Sequence, residues 1–250
     1  MVDIFQIPVY YIAFKPNYPL ETSLKKTGFN EVNHFKAVDG RKLNLDKLIE
    51  DKLITIRSYN DLIEGREQHS GLPTLGAVGC TMSHFTLWNL CIKKDMPYII
   101  IAEDDLWLPN ITPEHIKKIE YILSKPNSIY VGRNIYKQEG RITFFIGLQF
   151  YIVSKGAAKE LVKQAYPIDV QTDAYIAHLD TVKKINLEGF DLAEQKHHTS
   201  SIQEPTCFKC NLATQYILKI SWFIIPIILL LILGFILIFK LRKCRQKCPI

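Results

Sequence analysis

The stretch "YIIIAEDDLWLP" (98–109) constrains the fold most, because an apolar run ends directly against the carboxylates Glu103, Asp104 and Asp105. Such a run has no polar face to offer water, so it suits a central strand covered on both sides. Strands alternating with helices then predict an open α/β sheet, in which ligands collect beyond the carboxyl ends of strands. The acidic triplet stands at such an end.

The neighbouring pattern fits this reading. "IPVYYIAF" (7–14) reads as a first strand and "VNHFKAVDG" (32–40) as a second, closing in an Asp-Gly turn. Val78, Met82, Phe85, Cys91 and Ile92 recur at helical spacing. A helix opening at Thr112-Pro113, a strand at 128–131, an aromatic strand region over 142–153 and a helix capped by Ser154 follow.

Adjacent carboxylates repel by roughly 1 kcal/mol per close pair in water, and by several-fold more when half buried. Two readings are open. Asp104 or Asp105 caps the next turn while the others face solvent. Alternatively, the cluster holds Mg²⁺ or Mn²⁺, which prefer oxygen ligands and commonly bridge to a substrate diphosphate. The second fits glycosyl transfer from a nucleotide sugar, where the metal neutralises the departing nucleoside diphosphate.

"ISWFIIPIILLLILGFILIF" (220–239) carries no charge. As a helix at about 1.5 Å per residue it spans roughly 30 Å, the thickness of a bilayer's hydrocarbon core. Lys240, Arg242, Lys243, Arg245 and Lys247 follow as a tail suited to lipid headgroups. These cations account for most of the formal net charge of +6, so the rest is nearly neutral and shows no nucleic-acid footprint. The expected organisation is a soluble domain over 1–205, a linker over 206–219, a transmembrane helix over 220–239 and a basic tail over 240–250.

The N-terminus lacks a signal-peptide pattern, so the chain reads as a single-pass protein anchored at its C-terminus with a cytosol-facing domain. The basic tail argues for the opposite orientation, so a luminal domain stays open. The Asn110-Ile111-Thr112 sequon would report it.

The cysteines do not read as a disulfide framework. Cys80 and Cys91 share one helical pattern, about 16 Å apart along its axis, too far to bond. Cys207 and Cys210 form a lone CxxC, half of a zinc site at most. Cys244 and Cys248 are juxtamembrane, either palmitoylated or plain thiols.

"FKAVDGRKL" (35–43), "LGAVGCTMSHFTLW" (75–88), "IIIAEDD" (99–105), "FYIVSKGAAKELV" (150–162), "YPIDVQTD" (166–173) and "EQKHHTSSI" (194–202), in this order, resemble glycosyltransferase family 25. That family groups lipopolysaccharide-type galactosyl- and glucosyltransferases with collagen galactosyltransferases. The resemblance implies a GT-A-like nucleotide-sugar domain that inverts the sugar's configuration, with a UDP-sugar donor, a divalent metal, and a glycan, lipid-linked or protein acceptor.

It also implies an acidic, DXD-like site at Glu103, Asp104 and Asp105, with Asp105 the direct metal ligand, and it places Asp39 near the donor nucleotide. Asp169 and Asp173 are the candidate bases, sharing one helix face if Asp169 lies in the first turn; a capping role is the alternative. His198, beside His197, is a further candidate metal contact, against a solvated loop pair. Gln195, Ser200 and Ser201 fall in the family's closing segment, near the acceptor. Ser83 and His84 read as packing or donor-pocket shape, and Gly156 and Ala157 as close helix packing. Two departures stand out: "AFKPNYPLETSLKK" replaces a usual arginine-bearing loop, and Ala77 stands where an acidic residue is usual. They leave a second possibility, a degenerate glycosyltransferase fold kept as a membrane-tethered binding module.

Overall fold

The computed structural model describes residues 2–64, 71–138, 141–144 and 147–195. Its elements in chain order are β1 (Val9–Ala13), α1 (Tyr18–Thr27), β2 (Val32–Lys36), α2 (Leu45–Glu50), α3 (Ile56–Glu64), α4 (Leu75–Lys93), β3 (Tyr98–Glu103), β4 (Leu106–Trp107), α5 (Pro113–Leu123), β5 (Ser128–Val131), β6 (Tyr136–Gln138), β7 (Arg141–Phe144), β8 (Phe150–Ser154), α6 (Lys155–Lys163), α7 (Thr172–Thr181), β9 (Asn186–Gly189) and β10 (Glu194–Gln195). Short 3₁₀ turns cover Ile4–Gln6 and Gly40–Lys42.

The main sheet has the order β2-β1-β3-β8-β5-β9. β8 runs antiparallel to β3 and β5, and the remaining neighbours are parallel. The carboxyl ends of β1, β2, β3, β5 and β9 therefore lie along one sheet edge, joined there by the amino end of β8.

The apolar run in β3 is buried on both faces, as its sequence requires. Ile99 and Ile101 pack into one core with Leu48, Phe85, Trp88, Leu161 and Ile176, from α2, α4, α6 and α7. Ile100 and Ala102 pack into the other with Leu20, Leu24, Ile119 and Ile122, from α1 and α5. The fold is thus a mixed α/β sheet flanked by helices.

Local chemistry sets the helix starts. Thr112 and His115 exchange reciprocal side-chain-to-backbone bonds at 3.3 Å in a capping box, with Pro113 as the first helical residue of α5. Ser154 accepts from Ala157 N at 3.2 Å and opens α6 directly from β8. The departure after β1 is itself a helix start: Asn17 accepts from Leu20 N at 3.2 Å and α1 begins, with a proline in its first turn.

Two expectations change. The second strand stops at Lys36, short of the Asp-Gly turn. The aromatic region 142–153 is not one strand: β7 pairs with β6 in a separate ribbon, and β8 enters the main sheet. Gly147, at φ 90° between them, adopts a left-handed conformation that interrupts the extended run. Among the described residues no helix is long and apolar enough to cross a membrane. The expected linker 206–219, span 220–239 and tail 240–250 lie outside the described residues.

Candidate functional site

Helix α4 is the scaffold of the site. Thr74 caps it, accepting from Ala77 N at 3.1 Å, and Ala77 is buried in the first turn. Ser83 Oγ donates to Gly79 O at 2.8 Å and accepts from Val38 N at 2.9 Å. That bond ties the loop after β2 to the helix, so Ser83 is a structural clamp.

Asp39 ends this loop. Its Oδ1 accepts from Arg41 N at 3.2 Å and Arg41 Nε at 2.8 Å, and its Oδ2 from Arg41 Nη2 at 3.0 Å. The guanidinium holds the Asp39 carboxyl below its ordinary pKa, and it also lies over the Phe14 ring, 5.2 Å from its centroid. The residues following β1 and β2 therefore meet at the ligand-facing edge.

Glu103 is the last residue of β3, its amide donating to Gln149 O at 3.0 Å. Asp104 and Asp105 make the turn into β4. Asn17, the cap of α1, donates its side-chain amide to Asp104 O at 3.1 Å, so the segment after β1 braces the triplet. On the other side β4 pairs with β10, Leu106 opposite Gln195 and Trp107 opposite Glu194.

Cys80 of α4 and Asp173 of α7 complete the cluster. Burial pushes the Cys80 thiol well up, and the charges of Glu103, Asp173, Asp105 and Asp104 push it further. Asp173 accepts from Gly147 N at 3.3 Å and from Ala174 N at 2.7 Å. Burial, with the Glu103 charge adding to it, raises its pKa despite these backbone bonds.

Behind the carboxylates runs a buried polar chain. Trp88 Nε1 donates to Tyr151 Oη at 3.0 Å, Tyr151 Oη is 2.8 Å from His84 Nδ1, and His84 Nε2 is 3.4 Å from Glu103 Oε1. Cys80, His84 and Trp88 are spaced by four and occupy one face of α4.

The two base candidates part company. Asp169 precedes α7, so the pair does not share a helix face. Its carboxylate accepts from Thr55 Oγ1 and pairs with Arg57 Nη2 at 3.0 Å, while its carbonyl accepts from Ser58 Oγ at 3.1 Å, tying it to the start of α3. Asp173 is the one brought to the triplet. His197, His198, Ser200 and Ser201 lie outside the described residues.

A cleft of about 520 Å³ opens on the same edge, beyond β5 and β9, lined by residues that include His115, Arg133, Asn134, Tyr136, Asp191 and Glu194. Asp191 shapes it by accepting from Asn134 N at 2.9 Å. Glu194 of the β4–β10 ribbon lines the cleft, and its neighbour Gln195 pairs with Leu106, the residue after Asp105. Sequence reasoning missed Asn17, Cys80, Gln149 and Tyr151 as site residues. Only Cys80 and His84, one helical turn apart, carried a readable signal.

Residues 21–176 match the model of glycosyltransferase family 25, described as LPS biosynthesis protein. That range contains Asp39, the triplet, Asp169 and Asp173. A "Glycosyltransferase 25 family member" of Drosophila melanogaster is 30% identical over 115 residues, covering 44% of this chain and 18% of the relative. "Procollagen galactosyltransferase 2" of Mus musculus is 28% identical over 107 residues, covering 41% and 16%. "Probable inactive glycosyltransferase 25 family member 3" of Rattus norvegicus is 29% identical over 110 residues, covering 42% and 18%. This chain spans only a small part of the length of each.

Proposed function

We propose that this chain, which belongs to glycosyltransferase family 25, transfers a hexose, galactose or glucose, from a UDP-sugar to a hydroxyl acceptor with inversion. The observation that carries the proposal is the placement of Glu103, Asp104 and Asp105 at the carboxyl end of β3, where Glu103 meets Cys80 and His84 of α4. This is where an open α/β sheet binds its ligand.

In this reading the domain is GT-A-like, and Glu103, Asp104 and Asp105 hold Mn²⁺ or Mg²⁺, with Asp105 the direct ligand and His198 a further contact. The oxygen donor set fits such a hard cation. When bound, the metal supplies Lewis-acid stabilisation of the departing diphosphate. Asp39 and the Asn17 segment border the nucleotide. Asp173 takes the acceptor hydroxyl's proton as that oxygen bonds to the anomeric carbon and the bond to UDP breaks. A carboxylate with a raised pKa is the better base for that step.

The acceptor enters through the cleft beyond β10, whose Tyr136 and His115 rings and polar Asn134, Asp191 and Arg133 suit a sugar-bearing chain, whether glycan, lipid-linked or protein-borne. The 220–239 segment anchors the chain in a membrane, with the domain facing the cytosol.

A second reading, a degenerate fold retained for binding, is favoured by Ala77 and by the inactivity that the rat relative's name ascribes to that protein. Release of UDP from UDP-galactose and UDP-glucose by the full chain in detergent separates the two. Turnover with Mn²⁺ that is lost with chelator and in Asp105→Ala supports transfer. Metal-dependent UDP binding without turnover, across glycan and hydroxylysine-peptide acceptors, supports the degenerate fold.

A further inference from the structure

We propose that Cys80, His84 and Glu103 form a binding site for Zn²⁺, distinct in donor chemistry from the all-oxygen triplet site. Cys80 and His84 stand one turn apart on α4 and face the end of β3, where Glu103 sits. One ligand atom from each, the thiol sulfur, an imidazole nitrogen and a carboxylate oxygen, lie within 4.8 Å of one another.

A second observation points to a ligand. His84 is fully buried, and its Nε2 has no hydrogen-bond partner. The nearest acceptor, Glu103 Oε1, is 3.4 Å away, beyond the usual range of about 2.7–3.2 Å for such a bond. A buried ring nitrogen aimed at a thiol and a carboxylate, yet bonded to neither, is the arrangement a coordinated ion completes.

The surroundings support coordination. His84 Nδ1 is held at 2.8 Å by Tyr151 Oη, which receives Trp88 Nε1 at 3.0 Å. A partner on the far ring nitrogen fixes ring orientation and strengthens the ligating nitrogen. As whole residues Cys80 and Glu103 are only partly buried, while His84 between them is buried. A mixed sulfur, nitrogen and oxygen set suits Zn²⁺, and three protein ligands leave a fourth position open.

Binding is a ligand exchange without redox change. The thiol proton leaves to solvent. The imidazole carries its proton on Nδ1, donating to Tyr151 Oη, whose hydroxyl rotates to accept, and Nε2 gives its lone pair to the ion. Glu103 is shared with the triplet, so on the function proposed above Zn²⁺ and Mn²⁺ oppose each other; the site itself does not rest on that reading.

The test is Co²⁺ titration of the full chain carrying serine at Cys207, Cys210, Cys244 and Cys248. The expected result is tetrahedral Co²⁺ absorption with a thiolate charge-transfer band in the near ultraviolet, displaced by Zn²⁺ and lost in Cys80→Ser. Glu103→Gln is the second variant should Cys80→Ser misfold, and it is expected to weaken Co²⁺ affinity at least tenfold. Absence of the charge-transfer band overturns the proposal. So does a band that survives in a folded Cys80→Ser chain, or an affinity unchanged in Glu103→Gln. The transfer reading is tested separately, by Mn²⁺-dependent UDP release from the parent chain, so failure of the Zn²⁺ site and failure of that reading are told apart.

Discussion

Gly79 of α4 and Gly40 of the turn after β2 are in backbone contact: a Cβ on Gly79 would stand 2.8 Å from Gly40 N and 2.5 Å from Val38 O, and one on Gly40 would stand 2.0 Å from Leu75 O. These neighbours are main-chain atoms, which cannot swing aside as a flexible side chain would. The contact seats Asp39 against the helix that carries Cys80 and His84.

Gly79→Ala is therefore expected to destabilise the domain, although alanine is the better helix former by about 1 kcal/mol. Overpacking against backbone outweighs that gain, giving a net loss of about 1–3 kcal/mol. Urea unfolding measures it. A stabilised Gly79→Ala chain would show that the turn moves freely.

Asp173→Asn is expected to reduce turnover by about 10²–10⁴-fold with a far smaller effect on thermal stability at neutral pH. Burial raises the pKa of Asp173 above its ordinary 3.8, so folding favours the protonated carboxyl. That contribution is complete below 3.8 and is lost as pH rises through the folded value. A charged Asp173 thus costs stability at neutral pH; the amide removes that cost but turns its NH₂ toward one of the two backbone donors, Gly147 N or Ala174 N, which offsets the gain. The acid limb of the rate profile should lie above the ordinary carboxylate range, and a limb at 3.8 or below would remove Asp173 as the base.

Asp169→Asn is expected to act on stability instead. Its carboxylate joins Thr55 and Arg57 of the α3 start, an exposed to half-exposed tie whose loss costs about 1 kcal/mol. Turnover per folded molecule should stay within about threefold of the parent, far from the loss general-base removal brings. A large loss of turnover with unchanged stability would reverse the roles of Asp169 and Asp173.

These contrasts show what the sequence could carry. The triplet was legible because an uninterrupted apolar strand must be buried and its end must emerge at an edge. The strand at 128–131 and the caps at Thr112 and Ser154 were legible because their chemistry is local. The split between β7 and β8 was not, because an aromatic run reads as one strand until Gly147 turns it. Nor was the convergence of Asn17, Cys80, Tyr151 and Asp173 on the triplet. That set is assembled by sheet order, which brings β8 beside β3 although β4, α5 and β5 to β7 intervene in sequence.

The 220–239 segment predicts that the full chain stays in the membrane pellet through alkaline extraction and is released only by detergent. A cytosol-facing domain predicts that Asn110 carries no glycan. A mass shift removed by endoglycosidase would place the domain in the lumen, and release by alkali would remove the anchor.

Tyr151→Phe tests whether the chain behind Glu103 acts as one unit. The Tyr151 hydroxyl is fully buried, and burial, then the Glu103 charge, hold its pKa far above the ordinary value, so it keeps its proton. It serves Trp88 Nε1 and His84 Nδ1 together. Removing it strands both, and each buried unpaired group costs about 1–3 kcal/mol. Trp88→Phe in the same background deletes one of the stranded donors but also shrinks a large core ring. The informative quantity is therefore the coupling from the double-mutant cycle, expected at about 0.5–3 kcal/mol. Independent, additive effects would mean that Trp88 contributes packing alone and that Tyr151 holds His84 without it.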